Sequence, residues 1–223
     1  MKQTVPALAL LLSLAACGGA STEQTKTEEK KEAAATTGAA YAIDTVTSAV
    51  QWRATHKGGF APRFGIIKVT GGSLNVDNGA VTGGSFDVNM NSLTTDPASV
   101  TEAGKKSTDL DGHLKSGDFF DAAKYPSAKF VITAVAPYDS AKQKSLLPGA
   151  TNLISGNLTL KDSTLNITFP AQIAVNGNDV TANAKFVIDR SAWGISYKTE
   201  GSPENWMISK EVEVGFSVKG TKK

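Results

Sequence analysis

The chain has 223 residues, and its 23 lysines and arginines nearly balance 21 aspartates and glutamates, giving a formal net charge of +2. No basic stretch with interleaved aromatic residues stands out, so the composition argues against a nucleic-acid partner. Because there is a single cysteine, no disulfide can form within the chain, and stability must come from a sizeable core.

Residues 1–16 have the layout of a secretory signal peptide, with Lys2 followed by an apolar run and then by small residues. The run is shorter than the roughly 20 apolar residues that a membrane-spanning helix needs. The motif Leu-Ala-Ala-Cys, ending at Cys17, resembles the lipobox of bacterial lipoproteins, in which the cysteine is acylated. We therefore expect cleavage before Cys17 and a membrane anchor of acyl chains on it. The alternative is an ordinary secretory signal with an incidental cysteine.

Residues 17–40 contain no aromatic or large aliphatic side chain and many charges of both signs, a composition that predicts a flexible tether. The folded domain is then expected over 41–223. Gly18 and Gly19 lack the aspartate that signals inner-membrane retention in some bacteria. This favours a lipid anchor in the outer membrane, facing the periplasm.

From Tyr41 onward, apolar and polar residues alternate with a period of two, which predicts strands with one buried face. The apolar members of these runs are Val50, Trp52 and Ala54; Phe86, Val88 and Met90; Leu158 and Leu160; Leu165, Ile167 and Phe169; Ala184, Phe186 and Ile188; and Val212, Val214, Phe216 and Val218. Turns are predicted at Gly71-Gly72, Asp77-Asn78-Gly79, Lys161-Asp162-Ser163 and Asn176-Gly177-Asn178-Asp179.

About eight such strands form either a sandwich of two sheets or a barrel. We favour an all-β antiparallel barrel, because only closure removes both sheet edges. The interior of such a barrel is either filled by side chains or holds one elongated ligand, and periodicity does not decide between them.

The alternation stops over residues 97–125, which predicts a helical insertion near one mouth of the barrel. Asp96 before Pro97 is a good helix start, and Asp109 or Asp111 is expected to cap a second short helix.

Four stretches of sequence resemble the YceI-like family of bacterial exported proteins. They are "YAIDTVTSAVQWRATHKGG" from residue 41, "DGHLKSGDFFDAAKYPSAKF" from 111, "SGNLTLKDSTLNITFP" from 155 and "FVIDRSAWGI" from 186. The resemblance implies a lipocalin-like, eight-stranded antiparallel barrel whose apolar interior binds a polyisoprenoid or another long amphiphile. The chain departs from the family at Leu110, where an arginine is common.

With the cavity that the resemblance implies, the inward-facing residues become candidates for the ligand site. The expected lining is Val50, Trp52, Phe86, Val88, Met90, Phe119, Phe130, Ile132, Leu158, Leu160, Ile167, Phe186, Ile188, Val214 and Phe216. The expected contacts with the ligand head group are His56, Asp111, His113 and Lys115. At the corner from Asp189 to Gly194, we expect Asp189 or Arg190 to bond loop backbone while Trp193 closes the core.

We expect neither a metal nor a cofactor, because the spacing of Asp109, Asp111 and His113 suits no standard metal site. Catalysis is not expected either, since Ser116 with His113 and Asp118 is the only conceivable nucleophilic trio. The expected function is therefore a membrane-anchored lipoprotein that sequesters or transports a lipid. The alternative is a structural or interaction module whose barrel is filled by its own side chains. The expected partners are a long-chain isoprenoid or another amphiphilic lipid, and a homodimer is left open.

Overall fold

The computed structural model describes residues 24–56, 58–199 and 207–223, so the predicted signal peptide and Cys17 lie outside the described residues. Eleven strands and one α-helix organise these three ranges. The strands are β1 (Thr27–Glu29), β2 (Ala39–Ile43), β3 (Ala49–His56), β4 (Arg63–Asp77), β5 (Ala80–Asn89), β6 (Thr94–Thr95), β7 (Ser127–Pro137), β8 (Asn152–Leu160), β9 (Ser163–Asn176), β10 (Asp179–Asp189) and β11 (Ile208–Lys222), and the helix is α1 (Ser107–Lys115). Within the same ranges, no helix has the length and apolar character needed to cross a bilayer.

Eight strand positions form a closed antiparallel barrel, which confirms the predicted fold class. Round the wall the order is β9, β10, β11, β3, β4, β5, β7 and β8, and β8 pairs with β9 to complete the circle. Strands β2 and β3 share one position, because both pair with β11 and β4. A sandwich of two open sheets is therefore excluded.

At one end of the barrel, which we call the mouth, two short strands join the wall. Pairing between β9 and β10 stops at Ala171 opposite Ala184, and beyond this point β1 pairs with β9. Near its start β4 pairs with β6, which takes the place of β5 there, and β4 pairs with β5 only from Val69 onward. Since the diameter of a barrel grows with its number of strands, the insertion of β1 makes the mouth wider than the middle.

Gly71 and Gly72 lie inside β4, so the turn predicted there is wrong. The pairing of β4 with β5 shifts register between Val69 and Gly71. Gly72 has a φ of +136°, and a Cβ at this position would lie 2.2 Å from the carbonyl oxygen of Ser85. The two glycines therefore let long neighbouring strands bend and approach closely, as the wall of a small barrel requires.

The other predicted turns are confirmed. Asn78 and Gly79 connect β4 to β5 and have φ angles of +48° and +79°, the left-handed geometry of a two-residue hairpin. Lys161, with a φ of +54°, begins the connection from β8 to β9, and Gly177, with a φ of +61°, begins the one from β9 to β10. These tight turns make the sheet a meander over most of its length.

The insertion predicted over residues 97–125 contains a 3₁₀ turn (Pro97–Ser99), then α1 and a series of turns. Asp96 caps the 3₁₀ turn by accepting a hydrogen bond from the Ala98 amide at 2.9 Å, as predicted. The expected cap of the second helix is wrong, because α1 begins before Asp109 and Asp111. Asp111 instead accepts the Thr95 amide at 2.6 Å and so ties the middle of α1 to β6.

A layer of phenylalanines fills the middle of the barrel. The layer consists of Phe86, Phe130, Phe169, Phe186 and Phe216. The rings of Phe169 and Phe186 stack with their centroids 4.0 Å apart, and Phe169 is fully buried. Gly156 makes room for this packing, since a Cβ there would lie 2.1 Å from the ring of Phe130. A space of about 60 Å³ remains between the rings and their neighbours.

Residues 24–37 run along the outside of the barrel, and we call them the belt. Its first part fills the gap at the mouth between β9 and β10: β1 pairs with Leu165–Ile167 of β9, and Gln24 bridges to Val187 of β10. The Thr25 amide donates to the Val187 carbonyl at 2.8 Å. From there the belt contacts Asn157 on β8, the Ile132 carbonyl on β7 and Thr82 on β5 before it continues as β2.

A buried asparagine fastens the belt where it crosses β8. The Lys31 amide donates to Asn157 Oδ1 at 3.0 Å, and Asn157 Nδ2 donates to the Lys31 carbonyl at 2.7 Å. Asn166 supports this side chain by donating to Asn157 Oδ1 at 3.0 Å. The predicted flexible tether is therefore wrong for the described residues 24–37, because backbone and amide hydrogen bonds order them without a large apolar side chain.

Candidate functional site

An apolar cavity of about 530 Å³ opens at the mouth of the barrel. The barrel wall contributes Val50, Trp52, Ala54, His56, Ile67, Leu158, Leu160, Ile188, Val212 and Val214, and the insertion contributes Leu110, His113, Leu114, Phe119 and Phe120. The cavity ends at the phenylalanine layer, since Val50, Leu158 and Val214 line both spaces. The volume lies within the range of roughly 300–1,000 Å³ that small-molecule sites occupy.

The residues predicted to line the site divide into three groups by their depth in the barrel. Val50, Trp52, Phe119, Leu158, Leu160, Ile188 and Val214 line the mouth cavity. Phe86, Val88, Phe130, Ile167, Phe186 and Phe216 line only the small space in the phenylalanine layer. Met90 and Ile132 line neither space and are buried in the core, so their prediction is wrong. Alternation shows which side of a sheet a residue faces, but not how far it lies from the mouth.

The four predicted head-group residues are not brought together. His56, at the end of β3, and His113, on α1, both lie on the mouth cavity. Asp111 and Lys115 do not line the cavity, although both are on α1. The reason for Asp111 is its hydrogen bond to Thr95, which turns its carboxylate towards β6.

Three rings pack at the rim of the cavity. The His113 ring lies edge-on to both Phe119 and Tyr197, with centroid distances of 5.1 Å in each case. His113 Nε2 is 2.9 Å from the Asp118 carboxylate. The Ser116 hydroxyl donates to the His113 carbonyl at 2.8 Å and not to the ring, so this trio lacks the bond between nucleophile and base that catalysis needs.

Arg190 holds together the two chain segments that border the cavity on the side of β10 and β11. Its guanidinium, 5% exposed, donates to the carbonyl oxygens of Ile195, Tyr197, Ile208 and Ser209. Burial lowers the pKa of Arg190, because the charged form loses hydration. Trp193, 1% exposed, donates its indole N–H to the Leu158 carbonyl at 3.0 Å. This corner therefore has the structure predicted for it, and Arg190 adds a positive charge on the cavity wall.

The indole N–H of Trp52 is buried on the cavity wall and has no acceptor among the residues that the structure describes. A buried donor without a partner costs about 1–3 kcal/mol. An acceptor atom on a bound molecule would remove this cost. Trp52 is therefore a candidate donor as well as an apolar contact.

Sequence reasoning missed several residues at the mouth. Leu110 and Leu114 are spaced i, i+4 with His113 between them, and this helical pattern could have identified the face of α1 that lines the cavity. Lys105, Lys106 and Lys198 also lie at the rim, and all three side chains are exposed. Tyr197 gave no usable signal, because it follows β10 in an irregular segment whose path depends on Arg190.

Comparisons with known proteins agree with this architecture. The family model described as a YceI-like domain matches residues 41–220. A UPF0312 protein of Pseudomonas paraeruginosa is 31% identical over 180 residues, which cover 77% of this chain and 80% of that protein. A UPF0312 protein of Shewanella denitrificans is 30% identical over 141 residues, which cover 62% of this chain and 64% of that protein.

Two solved structures share the fold. The crystal structure of Burkholderia cenocepacia BcnA superposes with a TM-score of 0.58 at 21% identity, covering 80% of this chain and 99% of that chain. A structure described as a polyisoprenoid binding domain from Saccharophagus degradans, implicated in plant cell wall breakdown, has a TM-score of 0.52 at 14% identity and covers 83% and 99% of the two chains. At these identities the likeness establishes the barrel and not the ligand.

Proposed function

Because the chain belongs to the YceI-like family, we propose that it binds a long-chain amphiphile, such as a polyisoprenoid or an isoprenoid quinone, in the mouth cavity of its barrel. The observation that carries this proposal is the open cavity of about 530 Å³ with an apolar wall. Burying a chain there would contribute roughly 25 cal/mol for each Å² of apolar surface removed from water. The description of the Saccharophagus degradans domain as polyisoprenoid-binding supports the same class of ligand.

The distribution of polar groups favours one orientation of the bound molecule. The inner end of the cavity is the phenylalanine layer, whereas the rim carries His113, Lys105, Lys106 and Lys198. We therefore place the apolar end of the chain against the phenylalanines and the head group at the rim. The remainder of a molecule longer than the cavity would emerge from the mouth.

The proposal includes a membrane anchor on the chain itself. Acyl chains on Cys17 would hold the protein to the bacterial envelope, with the outer membrane and its periplasmic face as the preferred site. Several acyl chains on one residue suffice for stable anchoring. In this setting the barrel would sequester a membrane lipid or transport it between sites.

Mass spectrometry of the protein purified from its native membrane tests the proposal. We expect a co-purifying amphiphile and a fluorescent apolar probe that competes with it. Leu160→Trp fills the cavity and should abolish both the co-purifying amphiphile and the uptake of the probe. Val46 is 91% exposed on a loop outside the barrel, so Val46→Trp should leave both unchanged. A protein that carries no lipid and takes up no probe would rule the proposal out.

The second candidate function is a structural or interaction module with a filled barrel. The phenylalanine layer favours it for the inner half, where about 60 Å³ of space remains. It predicts that Leu160→Trp and Val46→Trp behave alike in the probe assay.

A further inference from the structure

The belt fixes where the chain leaves the barrel towards its amino terminus. Gln24 bridges to Val187, and Ile188 and Arg190, directly beyond, line the mouth cavity. Strand β10 ends two residues after Val187, which is about 7 Å at the rise of a strand. The amino-terminal segment therefore departs close to the mouth, and not from the closed end of the barrel.

The distance from this point to the proposed anchor is short. Six residues, 18–23, separate Cys17 from Gln24. Seven Cα–Cα steps reach at most about 25 Å even when fully extended. Acyl chains on Cys17 would therefore keep Gln24, which lies beside the mouth, within about 25 Å of the bilayer surface that holds them.

The rim of the mouth has features that suit contact with this surface. Phe60, 68% exposed, lies in the loop after β3, and the loop is held by hydrogen bonds from the His56 amide to the Phe60 carbonyl and from the Gly59 amide to the His56 carbonyl, at 2.9 and 3.0 Å. Aromatic side chains of this kind are favoured at the interface between lipid and water.

The charge of the rim near this loop points to an anionic lipid surface. Lys105, Lys106 and Lys198 are exposed there, and lysines close to an anionic leaflet strengthen binding to it. Arg63 and Glu102, also at the rim, form an ion pair with each other. Among the described residues that line the cavity, Asp109 is the remaining acidic one, so positive charge is in excess on this described part of the rim.

From these observations we infer that the mouth docks against the bilayer that carries the Cys17 anchor, with Phe60 inserted among anionic phospholipid head groups. The inference rests on the proposed function, because it needs the anchor. It deepens that function, since an amphiphile could then pass between the leaflet and the cavity without crossing water.

The test uses the full acylated chain with a single added cysteine that carries an environment-sensitive nitrobenzoxadiazole dye. Phe60→Cys places the dye at the mouth. Val46→Cys is the matched control, because Val46 is also an exposed apolar residue on a loop. This loop follows β2, whose last residue pairs with Gly220, so it lies near the end of β11 that is far from the mouth. Each protein is reconstituted into vesicles of phosphatidylethanolamine and phosphatidylglycerol, with or without brominated acyl chains.

We expect brominated lipid to remove most of the emission from position 60 and little from position 46. Equal quenching at both positions would mean that the barrel lies on its side, and no quenching at position 60 would mean that the mouth points away; either result overturns the inference. Mass spectrometry of the same samples separates the failures. A Cys17 without acyl chains removes the anchor and this inference with it, whereas an acylated protein without a carried amphiphile refutes only the ligand-binding function.

Discussion

The mouth and the middle of the barrel are built largely from the same strands, but the middle is filled by side chains whereas the mouth encloses a cavity. In the middle, Phe169 and Phe186 stack and meet the rings of neighbouring strands, so the wall closes on side chains. At the mouth, β1 is inserted into the wall beside β9, and smaller residues such as Val50 and Ala54 face inward. The comparison teaches that the cavity arises from local widening of the wall and not from a tunnel along the whole barrel.

The largest expected effect comes from emptying the middle. Phe169→Ala should lower the free energy of unfolding by about 3–5 kcal/mol, because a fully buried ring is replaced by a void among three other rings. Chemical denaturation measures the loss. Leu160→Ala at the mouth, where the side chain borders an existing cavity, should lose clearly less, and equal losses at the two positions would erase the distinction between the regions.

Adding side-chain volume should also affect the middle and the mouth differently. Phe86→Trp adds volume to a packed layer and should lower the free energy of unfolding by about 1–3 kcal/mol. Leu160→Trp adds volume to an open space, so it should leave stability nearly unchanged while it abolishes probe binding. Thermal unfolding and probe titration on both variants measure this. A stable Phe86→Trp protein would show that the middle holds more free space than the structure contains.

The sequence predicted the barrel and the inward faces of its strands because both depend on local period-two alternation and on turn residues. Asn78-Gly79 is an example, since its positive φ angles are a property of two neighbouring residues. The turn predicted at Gly71-Gly72 is wrong because the same glycines also permit close approach of two strands, and only their pairing with Asp87 and Phe86 of β5 shows which use applies.

The candidate site was predicted less completely, for two physical reasons. The residues of α1 that line the cavity are placed by the hydrogen bond that Asp111 accepts from the Thr95 amide of β6, which no local pattern reveals. The order of the belt comes from the Asn157 side chain, 126 positions from Lys31 in sequence, and from backbone groups of distant strands. Composition reports only the absence of apolar side chains, so it predicts no order there. Composition alone therefore underestimates the order of a polar segment whose backbone is hydrogen-bonded to the surface of the barrel.

The belt offers a way to alter the mouth without touching the cavity wall. Asn157→Ala removes two hydrogen bonds to Lys31, and we expect the free energy of unfolding to fall by about 1–3 kcal/mol. Because the same belt supplies β1, hydrogen exchange should accelerate at Thr27–Glu29 and probe affinity should decrease. Thr159→Ala is the control: Thr159 lies on β8, like Asn157, and the change breaks only a hydroxyl pair with Thr164 of β9, so it should leave β1 protected. Unchanged exchange in Asn157→Ala would show that the belt does not depend on this asparagine.

The smallest expected effect concerns pH and the corner that positions Arg190. Burial raises the pKa of Asp189, but hydrogen bonds from Ser191 and Lys210 outweigh it, so the pKa lies below its usual range. A carboxyl whose pKa is depressed by folding stabilises the folded state above its unfolded pKa, and this contribution is lost as the pH falls through the folded pKa. Between neutral pH and pH values below about 4, the melting temperature of the natural protein should therefore fall more than that of Asp189→Asn. Because burial of the Asp189 side chain opposes these hydrogen bonds, the difference should be small. Parallel curves for the two proteins would show that Asp189 does not couple proton binding to the stability of the mouth.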